Sequence, residues 1–335
     1  MIQGHGDDAH IYNVPIVSNF SSNVLQTLNC DGLKSHLIQH IEDIHHYPEP
    51  GADTLTKALA AYHHVFHNNV LITNGATQAI YMIAQAFAFR HSAILAPTFS
   101  EYQDSCQAHK HKLKMFYSID AIPVESEIVW ICNPNNPTGT VYEKEVLLDC
   151  IKKYSDKIFV IDQSYADFTL KNTILDDEAI TLPNVIILHS MTKRSLIAGL
   201  RLGYMICHEN LIKLMHPYRQ PWSVNAMAIT AGLYLIEHPI ELDLTDYLEE
   251  TNRLRQALMD TKCIEVWPTD THYMLCRLRF GQAASLKEFL AQNHGILIRD
   301  ASNFKGLDNA YFRVCTQTKE ENNHLLEAIM HYLSV

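Results

Sequence analysis

Six short runs of nearly continuous apolar residues constrain this chain most. They are Val70–Ile72, Ala93–Leu95, Ile128–Ile131, Ile158–Ile161, Val185–Leu188 and Leu202–Met205. None alternates apolar with polar, so each reads as a strand buried on both faces, the signature of a mostly parallel sheet covered by helices. Helical patterns lie between and beyond them, over Thr77 to Phe89, Lys144 to Tyr154, Leu244 to Leu258 and Ala284 to Gln292. The expected fold class is α/β, a mostly parallel sheet sandwiched by helices in a large domain, with a smaller α/β domain.

Polar, glycine-bearing or proline-bearing segments follow these strands directly. They are Thr73–Thr77, Pro97–Phe99, Asn133–Gly139, Asp162–Tyr165 and Ser190–Lys193. Ligands of open α/β sheets sit beyond the carboxyl ends of the strands, so five such segments predict one shared site. Past Ser223 the pattern changes to a long helical region, then strands near Tyr273 to Leu278 and Ile296 to Arg299. At 335 residues, about two domains are expected. The division reads as a large domain over 41–222 and a smaller one over 223–335. An N-terminal arm, 1–40, contributes to the smaller.

The formal net charge is −11, from 26 Lys and Arg against 37 Asp and Glu, which disfavours nucleic-acid binding. An anionic substrate must therefore meet locally gathered positive charge. The eight cysteines form no CxxC pair, and several sit in apolar runs, which reads as buried free thiol in a reducing compartment. The first ten residues do not resemble a signal peptide, and the longest nearly apolar run, Ala79 to Phe89, is too short to cross a bilayer. A cytoplasmic protein without membrane contact is expected. Twenty histidines raise the question of a metal. His63 and His67 share a helix face at i, i+4, but no Glu follows His63 and no third ligand is evident, so a solvated helix face is the preferred reading and no metal is expected.

Taken together and in order, these segments resemble the aspartate-aminotransferase superfamily, class I and II, fold type I of the pyridoxal-phosphate enzymes. Gly75-Ala76-Thr77 opens a helix, where backbone N–H groups suit a phosphate. The most specific block is Ser190-Met191-Thr192-Lys193 followed by Gly199-Leu200-Arg201-Leu202-Gly203-Tyr204. The resemblance makes Lys193 the lysine that forms the internal aldimine, and Arg201, Ser190 and Thr192 partners of the cofactor phosphate. It pairs Asp162 with the pyridinium nitrogen, and Tyr165 and Asn136 with the phenolic oxygen. Phe99 becomes the aromatic that stacks on the ring, with Tyr102 as a nearby rival. Tyr47, in His46-Tyr47-Pro48, matches a tyrosine reaching the neighbouring subunit's cofactor, which implies a homodimer with shared sites. Gln78 and Gln163 stand where the family commonly has Glu.

Arg313, in Tyr311-Phe312-Arg313-Val314, matches the arginine that binds the substrate α-carboxylate, as its planar fork allows. Within the superfamily, the blocks Gln220–Ala226, Ile298–Asp308, Gly4–Gly6 and Phe20–Asn23 look most like threonine-phosphate decarboxylase of cobalamin synthesis. That likeness implies that His5, Gly6, Asn23, Asn136, Arg299 and Arg313 hold L-threonine O-3-phosphate. It implies a lyase forming aminopropanol phosphate. The alternative is a histidinol-phosphate aminotransferase using 2-oxoglutarate and glutamate. Either way the substrate is a phosphorylated amino acid or amino alcohol. A third reading, a non-catalytic protein of the same fold, is disfavoured because no room remains for an added DNA-binding unit.

Overall fold

The structure, a computed structural model, describes residues 6–24 and 29–334. A seven-stranded sheet forms its centre. In spatial order the strands are Val70–Thr73, Gly203–Cys207, Val185–Ser190, Ile158–Asp162, Ile128–Cys132, His91–Leu95 and Lys112–Phe116. All run parallel except Gly203–Cys207, which is antiparallel to both neighbours. The six apolar runs supply six of these strands. The seventh, Lys112–Phe116, carries two lysines on an edge, where unpaired backbone is best guarded by charge. Its alternation of exposed and half-buried residues is why an apolar-run criterion passes over it.

Helices cover both faces. Gly75–Ala86 buries Ala79, Ile80 and Ile83 against one face, with Ile94, Trp130, Ile186 and Met205 beneath. Lys144–Lys153 covers the other, burying Leu147 and Ile151 against Val129, Ile161 and Ile187. The helix Ala226–Glu237 packs with Leu55, Leu59, Ile72 and Ile206. The chain therefore stays with the large sheet's core until Leu235, beyond position 222. Leu33, in helix Asp31–Gln39, packs into that same core.

A second core forms around the antiparallel strands Arg299–Asp300, Tyr311–Cys315, Tyr273–Leu278 and Ile264–Val266. Helices Leu244–Asp260, Ala283–His294 and Lys319–Ser334 cover it, with Leu258, Leu290 and Ile329 buried inward. The N-terminal stretch joins this core rather than the first: Ser18–Asn19 pairs in parallel with Ile296–Leu297, and Phe20 is fully buried there. All eight cysteines are free thiols. Among the described residues, no helix is long and apolar enough to cross a membrane.

Candidate active site

Topology alone brings the five polar segments together. Each follows the carboxyl end of a parallel strand, so all lie at one edge of the sheet. Arg201 reaches that edge by the opposite route. It precedes Gly203–Cys207, the one antiparallel strand, so its position before that strand's start puts it beside the others. A cavity of about 720 Å³ opens there, and the second core closes its far side with Arg299 and Arg313.

Thirteen of the expected residues line this cavity: Gly6, Ala76, Thr77, Phe99, Asn136, Asp162, Tyr165, Ser190, Thr192, Lys193, Arg201, Arg299 and Arg313. Gly75 lies just behind Arg201. Its φ of +76° favours glycine, and a Cβ there would come 2.7 Å from Arg201 Nη2. Gly75 begins its helix, whose first N–H groups have no intrahelical partner. Gln78 Oε1 accepts the Asn74 N–H at 2.6 Å and steadies that turn. Gln163 likewise serves structure, donating to Ile174 O at 3.1 Å.

Lys193 is half-buried in the cavity wall, and its Nζ donates to Ser22 O at 3.1 Å. Burial, then the charges of Arg313 and Arg201, pull its pKa down to about 8. An amine so placed loses its proton readily and becomes a nucleophile. The hydroxyls of Ser190 and Thr192 are 2.7 Å apart on the same turn. Asn225, outside the cavity, donates to Leu200 O at 3.0 Å and holds the turn that carries Arg201.

Asp162 ends its strand nearly buried, with two partners: Ser164 N–H donates to Oδ1 at 2.9 Å and Tyr102 O–H to Oδ2 at 2.7 Å. Tyr102 is thereby committed to the carboxylate and stacks on Trp130 at 5.7 Å. Phe99 meets Tyr102 edge-on at 5.8 Å, and both rings line the cavity. Sequence reasoning weighed Tyr102 only as a rival for stacking and missed its bond to Asp162. Its placement three residues after Phe99 was the available signal.

Arg299 and Arg313 sit directly opposite each other on paired antiparallel strands, so both project from one face of the sheet. Phe312 and Val314 alternate with Arg313 and bury into the core on the other face. Arg313 donates through Nη1 to Asn136 Oδ1 and through Nη2 to Ser21 O, while its buried Nε has no hydrogen-bond partner among the described residues. Arg299 donates to Asn303 Oδ1 at 2.8 Å, and its guanidinium lies 5.2 Å from the Phe304 ring centre. Burial and the neighbouring Arg313 lower its pKa to about 10. Two buried cations held this close suit anions.

The N-terminal stretch forms part of the wall. Asp7 N–H donates to Ser21 Oγ at 2.8 Å, and Gly6 packs so closely that a Cβ would lie 2.5 Å from Ser21 O. Asn23 is not among the cavity-lining residues. Its φ is +57°, its side chain is fully buried, and among the described residues neither amide atom makes a hydrogen bond. His272 Nε2–H donates to Asn23 O at 3.1 Å. Burial, with Arg313 and Lys193 repelling a proton, lowers the His272 pKa to about 3, so the ring is a fixed neutral donor. His272 was not anticipated; buried in an aromatic cluster, it carries no local motif. Tyr47 also lies away from this chain's cavity, 87 % exposed and 5.5 Å from Trp222. His5 lies outside the described residues.

The expectation of a solvated face for His63 does not hold. Its ring is largely buried and bonded to Asp176 and Tyr204, because the helix Asp53–Tyr62 ends against the sheet there. Among the described residues, no group of three or more His, Cys, Asp or Glu is disposed to hold a metal ion.

The sequence profile of the aminotransferase class I and II family matches residues 15–329. The chain belongs to that family. This is a family of enzymes, and its cofactor is pyridoxal 5′-phosphate. The cavity suits that group. It offers a reactive amine, a cation beside a helix start for a phosphate, and a buried carboxylate for the ring nitrogen. A histidinol-phosphate aminotransferase from Thermoanaerobacter sp. is 30 % identical over 323 residues, covering 90 % of each chain. A threonine-phosphate decarboxylase from Salmonella typhimurium is 29 % identical over 334 residues, covering 94 % of this chain and 91 % of its own. Among solved structures, L-threonine-O-3-phosphate decarboxylase from Porphyromonas gingivalis superposes with a TM-score of 0.93 at 35 % identity, covering 95 % of this chain and all of that one.

Proposed function

We propose that this family member decarboxylates L-threonine O-3-phosphate, giving aminopropanol phosphate, a reaction of cobalamin synthesis. The observation that carries the reading is the facing pair Arg299 and Arg313 in the wall that also holds Lys193. One small substrate with a carboxylate and a phosphate would use both. The likeness to the Porphyromonas gingivalis decarboxylase supports it.

Residues of this chain divide the work. The Gly75–Thr77 backbone, Ser190, Thr192 and Arg201 would hold the cofactor phosphate. Asp162 would pair with the ring nitrogen, Tyr165 and Asn136 with the phenolic oxygen, and Phe99 would cover one face. When bound, pyridoxal phosphate supplies an electron sink for the bond that breaks at Cα. Arg313, with its buried Nε, would orient the carboxylate, and Arg299 with Gly6 and His5 would take the phosphate. Asn23 would support the substrate from behind Tyr165. The carboxylate leaves as carbon dioxide, and Lys193 Nζ, able to exchange a proton near pH 8, would return one to Cα. Holding the Cα–carboxylate bond rather than Cα–H perpendicular to the ring decides the outcome.

A homodimer belongs to this proposal, with Tyr47 completing the partner's phosphate site. The exposed run Ile38, Ile41, Ile44 and Tyr47 offers the apolar surface for it. Transamination of histidinol phosphate is the second reading, favoured by the 30 % identity to the Thermoanaerobacter enzyme. Purified protein loaded with cofactor is to be incubated with O-phosphothreonine, and separately with histidinol phosphate and 2-oxoglutarate. Carbon dioxide from the first and no glutamate from the second is expected. Glutamate without carbon dioxide decides for the aminotransferase.

A further inference from the structure

One buried polar cluster takes no part in the cavity wall. Asp176 begins the short helix Asp176–Ala179 and receives two histidines. His63 Nδ1 lies 2.7 Å from its Oδ2, and His189 Nε2 lies 2.7 Å from its Oδ1. The other nitrogen of His63 is 2.8 Å from Tyr204 Oη, and the His189 ring stacks on Tyr204 at 4.8 Å and 23°. A carboxylate only accepts, so both rings donate to Asp176. His63 then accepts from the Tyr204 hydroxyl through Nε2. Every nitrogen of His63 and both Asp176 oxygens are thereby used.

The cluster joins four elements: the end of helix Asp53–Tyr62, the start of Asp176–Ala179, and the strands Val185–Ser190 and Gly203–Cys207. Its place along the chain gives it meaning. His189 directly precedes Ser190, whose hydroxyl accepts the Thr192 N–H and opens the turn bearing Lys193. Tyr204 lies opposite His189 in the sheet, and three residues after Arg201. The two strands that carry the phosphate-side residues are thus tied together at their shared edge by one buried carboxylate.

We propose that Asp176 is a positioning residue for the cofactor's phosphate end, acting through His189 and His63 on the turn that carries Ser190 and Thr192. This rests on the reading of those residues given above. Removing the carboxylate leaves two buried imidazoles short of a partner, and the strand end that they hold is freed to shift.

The charges around the cluster support the arrangement. Burial opposes the charge on His189, but Asp176, then Asp167 and Asp162, outweigh it and raise its pKa above the ordinary value. Burial likewise opposes the Asp176 charge, and His189 and His63 outweigh it and hold its pKa well below the ordinary range. Tyr62 and Arg194 are further titratable groups beside the cluster, Arg194 facing Asp167. The Asp176 contribution to stability is present at neutral pH and lost only in strong acid. That of His189 is full below the ordinary histidine range and lost as pH rises through its raised pKa.

The probe is pyridoxine 5′-phosphate, which has the ring and phosphate but no aldehyde, so its binding does not need Lys193 chemistry. Asp176→Asn keeps the shape and removes the charge. Its affinity for pyridoxine 5′-phosphate should fall about tenfold, the size of one lost charge-assisted hydrogen bond, while affinity for unphosphorylated pyridoxine stays unchanged. Leu258→Ala, in the second core, serves as a destabilised control and should bind the phosphate ester normally. Should Asp176→Asn not fold, His63→Gln at the outer end of the cluster gives the same reading in milder form. Wild-type affinity in the folded variant overturns the proposal, and so does an equal loss for both ligands. Lys193→Ala separates the two readings, because it should lose the visible band of the bound cofactor yet still bind pyridoxine 5′-phosphate.

Discussion

Tyr102 donates its hydroxyl proton to Asp162 Oδ2 at 2.7 Å, beneath the site where the carboxylate faces the cavity. Burial, then the Asp162 charge, raises the Tyr102 pKa well above its usual value, so the phenol remains a donor at any working pH. Tyr102→Phe keeps the stack on Trp130 and removes only this bond. A lost hydrogen bond to a charged group costs about 1.5–3 kcal/mol. The expected result is roughly 10- to 150-fold weaker cofactor binding or turnover by that conversion, with the melting temperature lowered by only a few degrees. Unchanged cofactor affinity in Tyr102→Phe would remove Tyr102 from the site.

Lys193 gives a pH prediction whose sign follows from its environment. Its pKa is lowered to about 8, so the neutral amine becomes the major form as pH rises through that value. The rate at which apoprotein takes up pyridoxal phosphate, followed by the visible band, should rise with pH and level off above about 8. Lys193→Ala should show neither the band nor a borohydride-stable link. An uptake rate that keeps climbing to the ordinary lysine range would mean that Lys193 is not the reacting amine.

The two arginines are expected to differ in kind. Arg313 has its Nη atoms engaged by Asn136 and Ser21, so it is held rigid, whereas Arg299 leans on Asn303 and Phe304. Losing a charge-assisted contact to a buried anion costs on the order of 2–4 kcal/mol, or roughly 30- to 1000-fold in kcat/KM. Arg313→Ala and Arg299→Ala should each fall in that range. Arg313→Lys should recover little, since an ammonium cannot reproduce the fork. Full activity in either alanine variant overturns its assignment.

The dimer prediction concerns Tyr47. Sedimentation should show a dimer at working concentrations. Mixing inactive Tyr47→Phe and Lys193→Ala subunits should restore about one intact site per heterodimer, since each subunit then supplies what the other lacks. An active monomer refutes shared sites.

Much of this architecture is legible in the sequence because it depends on local order. Strands buried on both faces read as apolar runs, and the parallel connections oblige their carboxyl ends to share an edge. The edge strand Lys112–Phe116 escapes because it is half exposed and lysine-bearing. Contacts between distant segments escape for another reason. Nothing near His63 in sequence announces Asp176, 113 positions later, or His189 beyond it. Likewise His272 finds Asn23 across 249 positions, a pairing that only folding creates. Helix Ala226–Glu237 reads as the start of a new region because the strand rhythm stops, yet its apolar face belongs to Leu55 and Leu59.

The N-terminal segment offers the sharpest remaining test. Residues 6–8 are tied down three ways: Asp7 N–H to Ser21 Oγ at 2.8 Å, Asn19 Nδ2 to Asp7 Oδ1 at 2.6 Å, and an ion pair of Asp8 with Lys287. Gly6 borders the cavity with no space for a side chain, a Cβ there lying 2.5 Å from Ser21 O and 3.6 Å from Arg299 Cδ. Gly6→Ala must therefore push the segment away from both residues. Because Ser21 O also accepts from Arg313, the shift reaches both arginines of the facing pair. Deleting residues 1–10 should cost roughly 30- to 1000-fold in kcat/KM for O-phosphothreonine, as for a lost anion contact. Gly6→Ala should raise KM more than it lowers kcat, since it disturbs substrate anchoring and leaves Lys193 in place. Cofactor loading, read by the visible band, should be unaffected in Gly6→Ala. If the deletion leaves kcat/KM intact, the segment does not contact substrate, and Arg299 and Arg313 bind it alone.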